Sequence, residues 1–194
     1  MGKIVAISGG DLKSTESLNR YAIEMAAMKN PNILFIGTAS GDDRGYIENF
    51  HRAYEAFGCQ VKELCLVKKA YPESEIQKLL DWADIIYVGG GDTAFMMEKW
   101  KEAGLDQKLM EIYRQDKAVL TGISAGAICW FMCGHSDSES FEEKSDWKFI
   151  WADDMLGIYK AAFCPHYNEE GRDSFDRMLY EKQMVGLALD NNVA

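Results

Sequence analysis

No stretch of the chain concentrates lysine or arginine; 21 basic residues stand against 31 acidic ones, a formal net charge of −10. Nucleic acid phosphates and anionic lipid both repel such a chain, so neither is an expected partner. No apolar run approaches the ~18 residues that a membrane-spanning helix needs. The apolar part of the opening MGKIVAISGG is too short for a secretory leader. Gly2 fits the start of a myristoylation signal, but the residues after it read as a buried strand. Cysteine is no help as a framework either. Cys59, Cys65, Cys129, Cys133 and Cys164 are odd in number and include no CxxC pair, which points to reduced thiols in a cytoplasmic protein. Cys129 and Cys133 lie four apart on an expected helix with His135 close behind, so a metal site is conceivable. An apolar helix face that uses small thiols explains the same spacing. No metal or organic cofactor is expected.

Repeats, low-complexity segments and linkers are also missing, so the 194 residues are expected to form one domain, 1–194. What is present is a steady alternation of short apolar runs and amphipathic stretches. KIVAIS, NILFIG, VKELCL, DIIYVGGG and AVLTGI read as strands. Leu18, Ala22 and Met25 mark one helix, Asp43 to Phe57 a second, and Ile76, Leu79, Leu80 and Ala83 a third. A long helical region from Thr93 to about Gln115 breaks at Gly104. Strands joined by helices of this length imply crossovers and a parallel sheet covered on both faces. Beyond residue 135 the acidic GHSDSESFEEKSDW reads as a loop. Shorter β-like runs follow, then a helix in RDSFDRMLYEK and a last strand in VGLALD. The chain stops just after that strand and a turn-like Asn191-Asn192, so a C-terminal tail with a partner strand is expected to be missing.

The stretch that carries chemistry is GISAG, Gly122 to Gly126, between a β-branched run and a helix-forming one. It fits the G-x-S-x-G pattern, in which a sharp strand-to-helix turn presents a serine hydroxyl and the new helix turns its free N–H groups and dipole toward a developing oxyanion. An ordinary turn serine is the plain alternative. The second glycine-rich strand end, VGGGDT from Val88 to Thr93, lets backbone approach a ligand closely. It lacks the lysine of a P-loop and the G-x-G-x-x-G spacing. Both glycine turns fall at the carboxyl ends of strands, where open parallel sheets bind ligands. Three histidines are available as a base. His51 sits inside an amphipathic helix, and His135 falls at the end of the elbow helix with doubtful reach. His166, in FCPHY after a β-like run and a proline, is the best placed. A carboxylate should fix its tautomer, and Asp137 and Glu139 offer one, with Asp153 and Asp154 more remote.

FIGTAS, GGGDT, GISAGA and FCPHY, in this order along nearly the whole chain, together resemble the peptidase E family of serine peptidases, to which the cyanophycinases are related. The resemblance implies an α/β fold: a flavodoxin-like, class I glutamine amidotransferase-like three-layer sandwich with a mainly parallel central sheet. It implies Ser124 as nucleophile, His166 as base, and the backbone amides of Gly91 and Ala125 as the oxyanion hole. The family's acid offset lands on Glu139, and Asp137 matches the residue type if the intervening segment is shorter. Asp137 is the preferred of the two. Gly90, Asp92 and Thr93 are expected to line the substrate. Arg172 is a candidate partner for an acidic substrate side chain, with a surface arginine at a helix start as the plain reading. The resulting expectation is a cytoplasmic serine peptidase for short peptides, a dipeptidase preferring N-terminal aspartate in its specific form, in which a homodimer is plausible. An esterase-type serine hydrolase and a non-catalytic binding protein on the same scaffold are the alternatives.

Overall fold

The computed structural model describes residues 2–141 and 148–194. Five strands, β1 (Lys3–Ile7), β2 (Asn32–Ile36), β3 (Gln60–Leu64), β4 (Ile85–Val88) and β5 (Val119–Ile123), form a wholly parallel sheet in the order β1-β5-β4-β2-β3. Parallel neighbours need crossovers. These are supplied by α1 (Glu16–Met25), α2 (Arg44–Ala56), α3 (Glu73–Trp82), and the consecutive α4 (Thr93–Ala103) and α5 (Leu105–Gln115).

Side chains alternate across a strand, and both faces of this sheet are apolar. Ile33, Phe35, Ile85 and Tyr87 pack with Ala22 of α1 and with Phe50 and Tyr54 of α2. Their neighbours Leu34, Ile36, Ile86 and Val88 pack the other way, against Ile76 of α3, Trp100 of α4 and Leu109 of α5. The result is a three-layer sandwich, in which each fully buried large apolar side chain contributes about 1.5–3 kcal/mol. Local signals agree with it. The Asp43 carboxylate accepts from the Tyr46 N–H at 2.7 Å to start α2. Gly104, at φ +65°, separates α4 from α5 as its position in the sequence suggests.

The second half departs from the expected pattern. The helix after the elbow, α6 (Ala125–Ile128), has four residues and ends before β6 (Phe131–Ser136). Cys133 and His135 therefore lie on a strand, not on a continued helix. The apolar run CWFMC has no periodicity that separates buried helix from buried strand, and its aromatic residues favour the strand. β6 joins β7 (Ile150–Ala152), β8 (Tyr159–Cys164) and β9 (Gly186–Ala188) in a separate sheet ordered β7-β6-β8-β9. Among the described residues, the β6–β7 pair is antiparallel and the β6–β8 and β8–β9 pairs are parallel. α7 (Ser174–Lys182) connects β8 to β9.

The two sheets meet through main chain. The Ser8 N–H donates to the Val193 carbonyl at 2.9 Å, and the Asn192 N–H donates to the Gly9 carbonyl at 2.8 Å. The segment after β9 is thereby laid along the carboxyl end of β1, next to the elbow that follows β5.

Candidate active site

Ser124 stands between β5 and α6 with φ +56° and ψ −117°, a conformation that non-glycine residues rarely adopt. The flanking glycines make it possible. A β-carbon on Gly122 would collide with the carbonyl of Gly126, and one on Gly126 would collide with the carbonyl of Val88. Gly90 lies against Ser124 itself, where an added β-carbon would come within 3.2 Å of the serine Cβ. The G-x-S-x-G turn and the triple glycine after β4 are thus one packed unit, and their convergence is steric.

His166 reaches the same point from the other sheet. It follows β8 after Pro165 and also carries positive φ, +55°. Its Nε2 lies 2.9 Å from Ser124 Oγ. Its main-chain N–H donates to the Ser8 hydroxyl at 2.7 Å, and that hydroxyl donates to the Leu189 carbonyl at 2.7 Å. Ser8 is wholly buried and joins the ends of β1, β8 and β9. On the far side of the ring, Nδ1 lies 2.6 Å from Asn191 Oδ1 and 3.3 Å from Glu169 Oε1. The Asn191 amide donates to Glu169 Oε1 at 2.9 Å.

Beside the elbow opens a groove of about 530 Å³ whose lining includes Leu12, Tyr46, Tyr87 and Ile123, with Lys13 and Arg52 at its polar parts. The Tyr46 hydroxyl accepts from the Gly90 N–H at 3.4 Å, which ties the groove wall to the glycine turn. Gly91 holds φ +137° with its Cα against the Ala39 carbonyl, so no side chain fits there.

The model of Peptidase family S51 matches residues 4–194. The chain belongs to peptidase family S51. It is accordingly a peptidase, of the hydrolase class. It is 35% identical over 200 aligned positions to an uncharacterized peptidase, YgaJ, of Bacillus subtilis, covering 100% of this chain and 82% of that one. A second uncharacterized peptidase, Lmo0363 of Listeria monocytogenes, is 33% identical over 103 residues, covering 52% of this chain and 49% of its own. Two solved structures share the fold. A putative peptidase E protein from Listeria monocytogenes superposes with a TM-score of 0.71 at 23% identity, covering 98% of this chain and 91% of that one. A peptidase from an acI-B1 actinobacterium gives 0.74 at 21%, covering 98% and 81%.

Within this S51 chain the other candidate residues fall in different places. Asp92 caps α4, its carboxylate accepting from the Phe95 N–H at 3.1 Å. Thr93 is buried and its hydroxyl accepts from Ser136 at 3.1 Å. Asp137 pairs with Arg172, Nη2 to Oδ2 at 3.3 Å, while the histidine's Nδ1 is met by Asn191 and Glu169. Glu139 lies in a short 3-10 turn, Ser138–Phe141. Arg172 is 2% exposed and also donates to the His135 carbonyl at 3.1 Å, so the expected partner for an acidic substrate is spent inside the protein. His135 is wholly buried, its Nε2 2.8 Å from the Ser174 hydroxyl. Burial, and the Arg172 charge after it, push its pKa down to about 4. His51 sits on α2 between Glu55 and Glu63, at 3.3 and 2.9 Å. Among the described residues no cluster of His, Cys, Asp or Glu could hold a metal, and no helix is long and apolar enough to cross a membrane.

Reading the sequence for a carboxylate missed Asn191, Glu169 and Ser8. Asn191 sits in what reads as a terminal turn, and an amide is not what a search for a triad acid seeks. Glu169, three residues past the histidine, was within range of such a search.

Proposed function

We propose that this peptidase hydrolyses short peptides with Ser124 as nucleophile and His166 as general base. The 2.9 Å approach of His166 Nε2 to the hydroxyl on a positive-φ elbow carries the reading. Ser124 Oγ attacks the scissile carbonyl carbon while Nε2 takes its proton. The backbone N–H groups of Gly91 and Ala125 receive the oxyanion; α6 has four residues, so these donors matter more than its dipole. Collapse of the tetrahedral intermediate expels the amine, which takes the proton from Nε2 and leaves an acyl-enzyme. Water, deprotonated by the same nitrogen, then releases the acid.

A groove of about 530 Å³ suits a peptide of a few residues. A preference for N-terminal aspartate would rest on Lys13 and Arg52, the cations that line it, since Arg172 is enclosed. The experiment is turnover of Asp-Ala, Glu-Ala, Ala-Ala and Gly-Ala by wild type and Ser124→Ala. Cleavage by wild type should fall by roughly 10³-fold or more in the variant. Equal turnover by both, or hydrolysis of simple acyl esters with no peptide cleaved, would remove the peptidase mechanism.

A further inference from the structure

The turn after β4 is Gly89-Gly90-Gly91-Asp92, and three of its four N–H groups are already taken. The Gly89 N–H donates to the Ile36 carbonyl at 3.0 Å, and the Asp92 N–H donates to the Ala39 carbonyl at 2.8 Å. The Gly90 N–H donates to the Tyr46 hydroxyl at 3.4 Å. The Gly91 N–H has no acceptor among the described residues. All three acceptors come from one stretch, the end of β2 and the segment that leads into α2. That stretch therefore decides how the peptides of the turn face, and it leaves free the donor next to Gly90, the glycine packed on Ser124.

Two of these acceptors are main-chain carbonyls, which any residue supplies. The third is a side chain, and its surroundings fix its place. Asp43 caps α2 by accepting from the Tyr46 N–H at 2.7 Å, which holds the tyrosine backbone at the helix start. Phe35 meets the Tyr46 ring edge-on, with centroids 5.1 Å apart. The ring in turn lies against Gly89, where an added β-carbon would come within 3.0 Å of Tyr46 Cε1. Burial pushes the Tyr46 pKa above its ordinary value of 10.0, so the hydroxyl stays neutral near pH 7. Glycine tolerates both signs of φ, so a run of three does little to hold its own shape. Without an acceptor for Gly90 the peptide before it is free to rotate, and the Gly91 N–H turns with it.

We propose that Tyr46 is a positioning residue for the oxyanion hole, its hydroxyl holding the Gly90 peptide, and through it the Gly91 N–H, at the angle that receives the oxyanion. The inference rests on Ser124 as nucleophile and on Gly91 as a donor.

Two measurements on the full chain test it. The first compares wild type with Tyr46→Phe, which keeps the ring and removes the acceptor, on the dipeptide that wild type cleaves best. kcat should fall about 10-fold, less than the roughly 10²- to 10³-fold loss that follows removal of a donor outright. KM and the melting temperature should hold. The oxyanion exists only in the transition state, so its support belongs in kcat, whereas a loosened groove raises KM. A wild-type kcat in Tyr46→Phe, or a KM that rises as far as kcat falls, overturns the proposal.

The second measurement does not need activity. Amide hydrogen exchange read from ¹H–¹⁵N spectra of glycine-labelled protein should show Gly90 exchanging about 10-fold faster in Tyr46→Phe. Gly89, held by the Ile36 carbonyl, should keep its wild-type rate and serves as the internal control. Equal Gly90 rates in the two proteins overturn the proposal. Release of Gly90 alone, in a chain that cleaves no peptide, would keep the contact but overturn the peptidase mechanism and the role of Tyr46 in it.

Discussion

Gly126 lies against the carbonyl of Val88, closer than any residue with a β-carbon could. This contact joins the start of α6 to the end of β4, and so brings the serine turn and the triple glycine together. It also explains why the elbow pattern needs its second glycine. The first predicted outcome follows. Gly126→Ala meets backbone rather than a movable side chain, and should destabilise the fold by about 3 kcal/mol in urea titration. Stability within about 0.5 kcal/mol of wild type would mean that β4 and α6 separate easily.

The elements that pack on the central sheet were readable because each follows one period throughout. Leu34 and Ile36 alternate with Ile33 and Phe35, and the two sets enter opposite cores. Asp43, Gly58 and Gly104 punctuate the helices where capping physics places them. The meeting of Ser124 and His166 was readable for a related reason, since a serine between glycines and a histidine at a strand end are local patterns. In the second sheet the later strands and α7 were readable as well, but β6 was not, because it begins inside an apolar run that suits either period. Nor was the far side of His166. Asn191 comes 25 positions after the histidine, and it reaches the ring only because the segment past β9 pairs with the end of β1. That pairing is tertiary and leaves no local signal.

Ser8 gives the second prediction. Its hydroxyl accepts from the His166 N–H and donates to the Leu189 carbonyl, both at 2.7 Å. Ser8→Ala leaves the half-buried His166 N–H without this partner, at a cost of about 1–3 kcal/mol, while the Leu189 carbonyl keeps the Tyr167 N–H at 2.9 Å. The expected result is a lower melting temperature and a fall in kcat greater than any rise in KM, since His166, the proposed base, moves while the groove does not. An unchanged kcat would show that the histidine loop holds its place without the link.

The third concerns pH. His135 is buried and neutral, with its folded pKa near 4 against 6.5 as the ordinary value, owing to burial and then to Arg172. The unfolded chain therefore binds the extra proton between these values, and stability rises with pH across that window. Acidification from pH 7 to pH 4 should remove at most about 3 kcal/mol through this residue. The ring's facing groups are the Arg172 guanidinium, the Ser174 hydroxyl and the Cys164 thiol, 3.7 Å from Nδ1, with Phe149 and Phe175 stacked or edge-on against it. His135→Gln should lose less stability than wild type between pH 7 and pH 4.5 in paired urea titrations. Parallel losses in the two proteins would assign acid instability to other groups.

Arg172 provides the last prediction and separates two roles. A substrate-binding arginine must present its guanidinium to solvent, yet this one is 2% exposed and stacks 4.3 Å from the Phe149 ring. One amino group meets the His135 carbonyl and the other meets Asp137. Its Nε is buried without a hydrogen-bond partner among the described residues. Desolvating that charge is costly, and removing it strands Asp137 and the carbonyl, so Arg172→Ala should cost about 3–5 kcal/mol of stability. Arg172→Met keeps the volume and removes the charge, and should cost less. In either variant that remains folded, the ratio of kcat/KM for Asp-Ala to that for Ala-Ala should stay within about threefold of wild type, the range left by indirect effects. A stable variant in which that ratio collapses would return Arg172 to the substrate. The same ratio should instead respond to Arg52→Ala and Lys13→Ala, whose side chains line the groove beside Ile123.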